Sequence, residues 1–213
     1  MPNFAPMRKF IWILALAAAA LGVYFVAFHQ SEEPAGPEPE KQKPVAQSKY
    51  SAAFNTSVGK AMADYDALRE QLVNWDSAAV KTQAAKLQTS LGSVAYDELH
   101  KDTAIYETAI SYKDMFAGDL TAMQTAPNLT EARRSFNSLS QNLYDLLRVI
   151  RYDAAPTYLI ECNMAFNDTE PGVWLNSSST VRNPYMGLHH PTYKGGMLKC
   201  GEPKDSLLFA VNK

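Results

Sequence analysis

Between Tyr50 and Arg151, apolar residues recur at steps of three and four, which is the period of one face of an α-helix. The pattern breaks at Asp76 and Ser77, a typical helix start, and stops again at Gly92. Two amphipathic helices are therefore predicted before residue 92. The apolar face of the first contains seven residues: Phe54, Val58, Ala61, Tyr65, Leu68, Leu72 and Trp75.

Two further helices are predicted before the pattern changes. The third covers residues 96–123, although its apolar spacing is less regular. The fourth begins at Asn128, has Glu131 three residues later as a capping box, and continues to Ile150. Because the links between the four segments are short, we expect an antiparallel four-helix bundle over residues 50–152.

After Tyr152 the chain has short apolar stretches separated by Asn, Ser, Gly and Pro, a pattern typical of strands and turns. The three stretches read TYLIEC, GVWL and MLKCG. The predicted fold class is α+β, a helical bundle followed by a small β/loop-rich C-terminal lobe at residues 153–213. Residues 50–213 are expected to form one folded unit.

The N-terminal region contains an uncharged apolar run, FIWILALAAAALGVYFVAF, from Phe10 to Phe28. As a helix it would span about 28 Å, close to the thickness of a bilayer core. Arg8 and Lys9 precede it, and positive flanks stay in the cytoplasm. Residues 1–30 are thus predicted to be a cytoplasmic stub and a transmembrane anchor. The alternative is a cleaved signal peptide, with a small-residue site at residues 17–20.

Residues 31–49 have a different composition, with four prolines among Glu, Lys and Gln and no aromatic residue. Proline fixes φ and lacks a backbone donor, so neither a helix nor a sheet extends through such a segment. We interpret it as a solvated, Pro-rich linker between the anchor and the folded part.

Composition and motifs exclude several function classes. Lys and Arg total 20 and Asp and Glu 22, a net charge of −2 that argues against binding nucleic acid through its phosphates. Two cysteines are too few for a disulfide-dense scaffold or a four-cysteine metal site. The chain has no phosphate-binding glycine loop, GxGxxG, GxSxG, HExxH or CxxC motif. No enzymatic activity is expected.

The remaining chemical feature is a set of sulfur-containing residues in the C-terminal lobe. Cys162 and Met164 form a C-x-M pair, and Met197 and Cys200 form an M-x-x-C pair. In an extended strand, alternation would put Cys162 and Met164 on the same face. Thiolates and thioethers together favour a soft ion such as Cu(I) or Ag(I). Three more residues could add ligands: Met186, His189 and His190.

Two other interpretations of these residues remain open. If the lobe is exported, Cys162 and Cys200 enter an oxidising compartment in which two cysteines commonly form a disulfide. Such a bond would close a loop of about 39 residues and stabilise the fold by roughly 4 kcal/mol in the chain-entropy model. The two methionines could also simply fill gaps in the core.

Four segments together resemble an uncharacterised bacterial periplasmic domain family: ECNMAF, GVWL, VRNPYMG and MLKCGE. That family shows a C-P-M-A core, then W-L, R-N-P-Y-F-G and M-L-x-C-G. It occurs alone and as a C-terminal module of heavy-metal efflux periplasmic adaptor proteins. A preceding bundle helix has the pattern R-x-x-F-x-x-L-S, which RRSFNSLS from Arg133 matches. The resemblance covers the chain from Tyr50 to Glu202.

The resemblance implies a membrane-tethered periplasmic module that binds or senses a soft metal, copper(I) being the expected ion, in heavy-metal efflux or homeostasis. The location implied is the bacterial inner membrane, single-pass, with efflux components as partners. The ligands carried over are Cys162, Met164, Met197 and Cys200. Asn163 and Met186 depart from the family's proline and aromatic residue, and residues 188–196, LHHPTYKGG, are an insertion. The alternative function is a non-catalytic structural or partner-binding domain stapled by a Cys162–Cys200 disulfide.

Overall fold

The computed structural model describes Tyr24 and residues 48–209. Within these residues, no helix is both long enough and apolar enough to cross a membrane. The apolar run at residues 10–28, apart from Tyr24, and residues 31–47 of the linker lie outside the described part, so both stay predictions. The chain divides into two units, Met1–Val45 and Ala46–Lys213, and the fold below is that of the second.

The second unit is α+β, as predicted, with four helices followed by a small antiparallel sheet. Neighbouring helices along the chain contact each other, and the fourth helix contacts the sheet. The helices are α1 (Ala52–Asn74), α2 (Ser77–Gly92), α3 (Thr103–Thr125) and α4 (Leu129–Ile150). The strands are β1 (Thr157–Phe166), β2 (Glu170–Asn176) and β3 (Glu202–Leu207).

Each of the four helices begins after a side chain that accepts a hydrogen bond from a backbone N–H of the first turn. The capping residues are Ser51, Asp76, Asp102 and Asn128. The prediction of one helix over residues 96–123 is wrong, because this segment is divided. A 3₁₀ helix, Tyr96–Lys101, ends at Asp102, whose extended backbone interrupts the helix and whose side chain caps α3.

The predicted apolar faces are confirmed. Six of the seven positions on α1 are buried, and Trp75, just after the helix, is partly exposed. On α4, Phe136 is fully buried and Leu143 is 2% exposed. The same core continues into the lobe, where Trp174 and Tyr185 are buried.

The sheet has the order β2-β1-β3, with both pairs antiparallel. The prediction of a strand at MLKCG is wrong: Cys200 N–H donates to Met197 O at 2.9 Å, which closes a turn. The third strand is instead EPKDSL, β3. Its proline and exposed charged residues are typical of an edge strand and give little apolar pattern to detect.

At the outer edge of β2, side chains from outside the sheet satisfy the backbone of Val173. Its N–H donates to Asn137 Oδ1 on α4 at 2.7 Å, and its carbonyl accepts from the hydroxyl of Tyr185. An unpaired strand edge exposes such groups to other chains or leaves them unsatisfied when buried. Here they attach the sheet to a helix.

Leu175, two residues further along the same edge, is satisfied from α1. Its N–H donates to Tyr65 Oη at 2.9 Å, and its carbonyl accepts from Arg69 Nη1 at 2.7 Å. Tyr65 Oη also lies 2.7 Å from Ser140 Oγ on α4. The Tyr65 hydroxyl therefore joins two helices to the sheet. It can be buried because it is hydrogen-bonded to both of its neighbours.

Arg133 on α4 connects that helix to the end of α1 and to the loop between β2 and β3. It is 4% exposed, and it donates from Nε to Pro184 O at 2.8 Å and from Nη2 to Leu72 O at 2.9 Å. Its guanidinium carbon lies 4.0 Å from the ring centroid of Trp75. Burial lowers the pKa of Arg133 to about 10, so it stays charged at neutral pH. The negative end of the α1 dipole favours that charge.

Replacing Tyr65 by Phe should destabilise the unit, because the Leu175 N–H would lose its acceptor in a buried site. The expected loss in free energy of unfolding is about 1–3 kcal/mol. Urea denaturation measures it. The matched control is Tyr106→Phe, since the Tyr106 hydroxyl has no hydrogen bond among the described residues and its loss should change stability by less than about 0.5 kcal/mol. Equal stability of the two variants would contradict the role of this edge.

Candidate functional site

The structure brings together the two cysteines, which are 38 positions apart in the chain. Cys162 Sγ and Cys200 Sγ are separated by 2.6 Å. Cys162 is fully buried, and Cys200 is partly buried. No disulfide bond joins them in this arrangement.

Cys162 is positioned by the middle strand of the sheet. It lies opposite Gly172 on β2, and its neighbour Glu161 lies opposite Glu202 on β3. A strand bonded on both sides has little freedom to shift. Cys162 is therefore the fixed member of the pair.

Cys200 is positioned by Asn183, a fully buried amide. Asn183 Nδ2 donates to Cys200 O at 2.8 Å, and its backbone N–H donates to Leu198 O at 2.9 Å. Its Oδ1 accepts from the N–H groups of Tyr185 and Met186 at 2.7 and 3.0 Å. From the sequence, the N-P-Y run predicts only a turn at Asn183. Nothing in that run indicates the contact with Cys200.

Gly201 allows the chain to pass from Cys200 into β3. Its φ is +132°, a conformation that favours glycine. A Cβ at this position would lie 2.7 Å from the Trp174 ring and 2.9 Å from Glu161 O. Both the backbone conformation and the close packing therefore require glycine next to the second cysteine.

The separation of the two sulfurs is well inside the roughly 3.5–4.0 Å contact of non-bonded carbon atoms, and sulfur is larger than carbon. A disulfide needs a distance of about 2.05 Å. The two thiols can thus be joined without rearranging the strands that position them. The arrangement is suited to disulfide formation.

The protonation of Cys200 follows from the same surroundings. Burial raises its pKa to about 12, and the hydrogen bond and charge of Cys162 act in the same direction. Because the thiolate is the form that attacks and that binds metals, Cys200 is a weak nucleophile and a weak ligand while the pair is closed.

The two sulfur atoms are donors that suit a soft ion, but in the closed pair they are too close together for both to bind it. Two sulfurs around a tetrahedral metal with bonds of about 2.3 Å would be roughly 3.8 Å apart. At 2.6 Å, the angle at such a metal would be only about 70°. A metal ion therefore needs Cys162 and Cys200 to separate by about 1 Å.

The three methionines occupy two different settings. Met164 and Met197 are both partly buried and pack against the hydrophobic core. Met186 is 1% exposed, and its backbone carbonyl accepts from Trp75 Nε1 at 2.9 Å. The alternation expected for Cys162 and Met164 is interrupted, because the register between Cys162 and Phe166 on β1 has four steps against two on β2.

The two histidines of the insertion differ in their surroundings. His189 is exposed, whereas His190 contacts Trp75 edge-on, with 5.6 Å between ring centroids, and stacks on Tyr193 at 5.0 Å. Burial lowers the pKa of His190, and the charge of Arg133 adds to this. Among residues 48–209, no three His, Cys, Asp or Glu side chains are arranged to hold a metal ion.

Residues 61–153 match the model of a domain family described as a protein of unknown function, DUF3347. The match is consistent with the uncharacterised family predicted from the motifs. It covers most of the helical part and ends before β1, so both cysteines lie beyond it. No curated protein and no solved structure matches the chain.

The raised pKa of Cys200 predicts a pH dependence of stability in the reduced protein. A thiol whose pKa is raised from 9.0 when unfolded to about 12 when folded stabilises the fold below pH 9. That contribution is lost as pH rises from 9 towards 12. Urea denaturation of the reduced wild type and of Cys200→Ser, at pH 7 and pH 10, measures it. The wild type should lose more stability than the variant, and parallel pH profiles would contradict the assignment.

Proposed function

We propose that the chain is a non-catalytic envelope module whose functional centre is the Cys162–Cys200 pair. When oxidised, the pair is a disulfide that staples the C-terminal lobe, and the domain serves a structural or partner-binding role. When reduced, the pair supplies two sulfur donors for a soft ion such as Cu(I). The observation that supports this proposal is the 2.6 Å separation of two sulfurs from distant segments.

The close approach favours the stapled form as the resting state. Formation of the bond removes two protons and two electrons from the thiols. A disulfide oxidant such as oxidised glutathione accepts both electrons and leaves as two thiols. The bond would stabilise the fold by roughly 4 kcal/mol in the chain-entropy model.

Metal binding is the second candidate function, and a separate observation favours it. Met164 follows Cys162 by two residues, Met197 lies in the same turn as Cys200, and both methionines are partly buried beside the same core. Thioethers and thiolates suit Cu(I). The module would capture or sense the ion without turnover, as the resemblance to heavy-metal efflux proteins implies.

The proposal also gives the module a location in the cell. Residues 10–28 would anchor it as a single-pass protein of a bacterial inner membrane, and residues 31–49 would connect the anchor to the folded part in the periplasm. The helices would form an antiparallel bundle that carries the lobe. Heavy-metal efflux components are the expected partners. The apolar run and its positive flank support the anchor, and the motifs support the rest.

A Cu(I) competition experiment tests the metal function on the reduced full chain, kept in detergent. Wild type should take Cu(I) from a weak chelator, and Cys162→Ser or Cys200→Ser should abolish this transfer because thiolates are the stronger ligands. Met164→Leu and Met197→Leu should weaken binding with less than about 1.5 kcal/mol change in stability, since they conserve volume.

Thermal melts of the oxidised chain test the staple separately. Either Cys→Ser change should lower the melting temperature, and reductant should lower that of wild type to a similar value. Met115→Leu is the control, since Met115 is exposed on α3 and outside both Cys-Met pairs, and it should leave the melting temperature unchanged. If reduced wild type leaves all Cu(I) on the chelator, the metal function is wrong and the staple stands.

A further inference from the structure

Reduction of the pair or entry of an ion requires the two sulfurs to separate, and the structure indicates which one moves. Cys162 is fully buried in β1, which is bonded to β2 on one side and to β3 on the other. Cys162 itself is paired with Gly172 on β2, and Glu161 before it is paired on both sides, so moving Cys162 would disturb the sheet. The separation must therefore come from the Cys200 side.

Cys200 lies in a turn outside the strands, and we call residues 197–200 the flap. The flap is closed internally by the bond from Cys200 N–H to Met197 O. Before it come Gly195 and Gly196, both exposed. Exposed glycines give this part of the backbone conformational freedom, so the flap can move as one piece.

Asn183 connects the flap to the rest of the lobe. Its side chain donates to Cys200 O and its backbone N–H donates to Leu198 O, so two hydrogen bonds reach the flap. Asn183 itself is held from the other side, because its Oδ1 accepts from Tyr185 N–H and Met186 N–H. It is therefore a fixed point from which the flap can detach.

Gly201 is the boundary between the moving flap and the fixed strand β3. The next residue, Glu202, is already bonded into the sheet opposite Glu161. The packing of Gly201 against Trp174 and Glu161 O fixes its position, while the absence of a side chain leaves its φ and ψ free to change.

We infer that the Cys162–Cys200 pair opens by a swing of the flap about Gly201, controlled by Asn183 as the positioning residue. Opening exposes Cys200 and moves Met197 with it, so a thiol and a thioether reach solvent together. A soft monovalent ion would be taken up at this side and closed against Cys162. This inference rests on the proposed function only for the identity of the ion.

Thiol alkylation tests the direction of opening without any metal. The reduced full chain is treated with N-ethylmaleimide, and mass spectrometry follows each cysteine, with rates normalised to those of the urea-unfolded chain. Because local opening requires far less free energy than global unfolding, Cys200 should react at least about tenfold faster than Cys162. Asn183→Ala should raise the Cys200 rate about fivefold, as expected for one lost hydrogen bond, and leave Cys162 unchanged.

Arg182→Ala is the matched control, since Arg182 precedes Asn183 but bonds to Glu70 on α1 and not to the flap. It should leave both rates unchanged. Equal rates for the two cysteines in wild type, or faster reaction of Cys162, would overturn the inference. If Asn183→Ala fails to fold, hydrogen exchange of wild type decides: the Asn183 amide, whose bond to Leu198 O the swing breaks, must exchange faster than the Cys162 amide. A failed Cu(I) titration leaves these results unaffected.

Discussion

The outer edge of β2 is the constraint on which the rest of the structure depends. Two residues of that edge, Val173 and Leu175, have their N–H and carbonyl groups bonded to side chains from outside the sheet. A small sheet is stable when it has a hydrophobic face or packs against a helix. It is held because helices and sheet share one hydrophobic core and because a buried edge cannot remain unsatisfied.

The geometry of the cysteine pair follows from this attachment. With β2 fixed to the helices, β1 is fixed beside it, and so is Cys162. The R-N-P-Y-M run then fixes the other partner. Arg133 holds Pro184, Tyr185 completes the β2 edge, and Asn183 holds Cys200. The residues that resemble the family's motifs thus act mainly as positioning groups. Their effect is to bring the two sulfurs together.

Periodicity in the sequence is sufficient to predict α1, α2 and α4, the caps at Asp76 and Asn128, and the burial of Phe136, because local spacing determines these features. It fails where tertiary contacts decide. β3 is an edge strand of mostly charged residues that pairs with β1, and the MLKCG stretch forms a turn closed by the bond from Cys200 N–H to Met197 O. The meeting of Cys162 with Cys200 could be proposed from the sequence, but the role of Asn183 depends on a contact 17 residues away.

The central claim is that Cys162 and Cys200 form one site within a single chain. Peptide mapping tests it most directly: the full chain is equilibrated with oxidised glutathione, free thiols are blocked, and the digest is analysed without reductant. We expect one linked peptide pair containing Cys162 and Cys200 from monomeric protein. Recovery of the two cysteines as separate glutathione adducts, or as a link between two chains, would contradict the account.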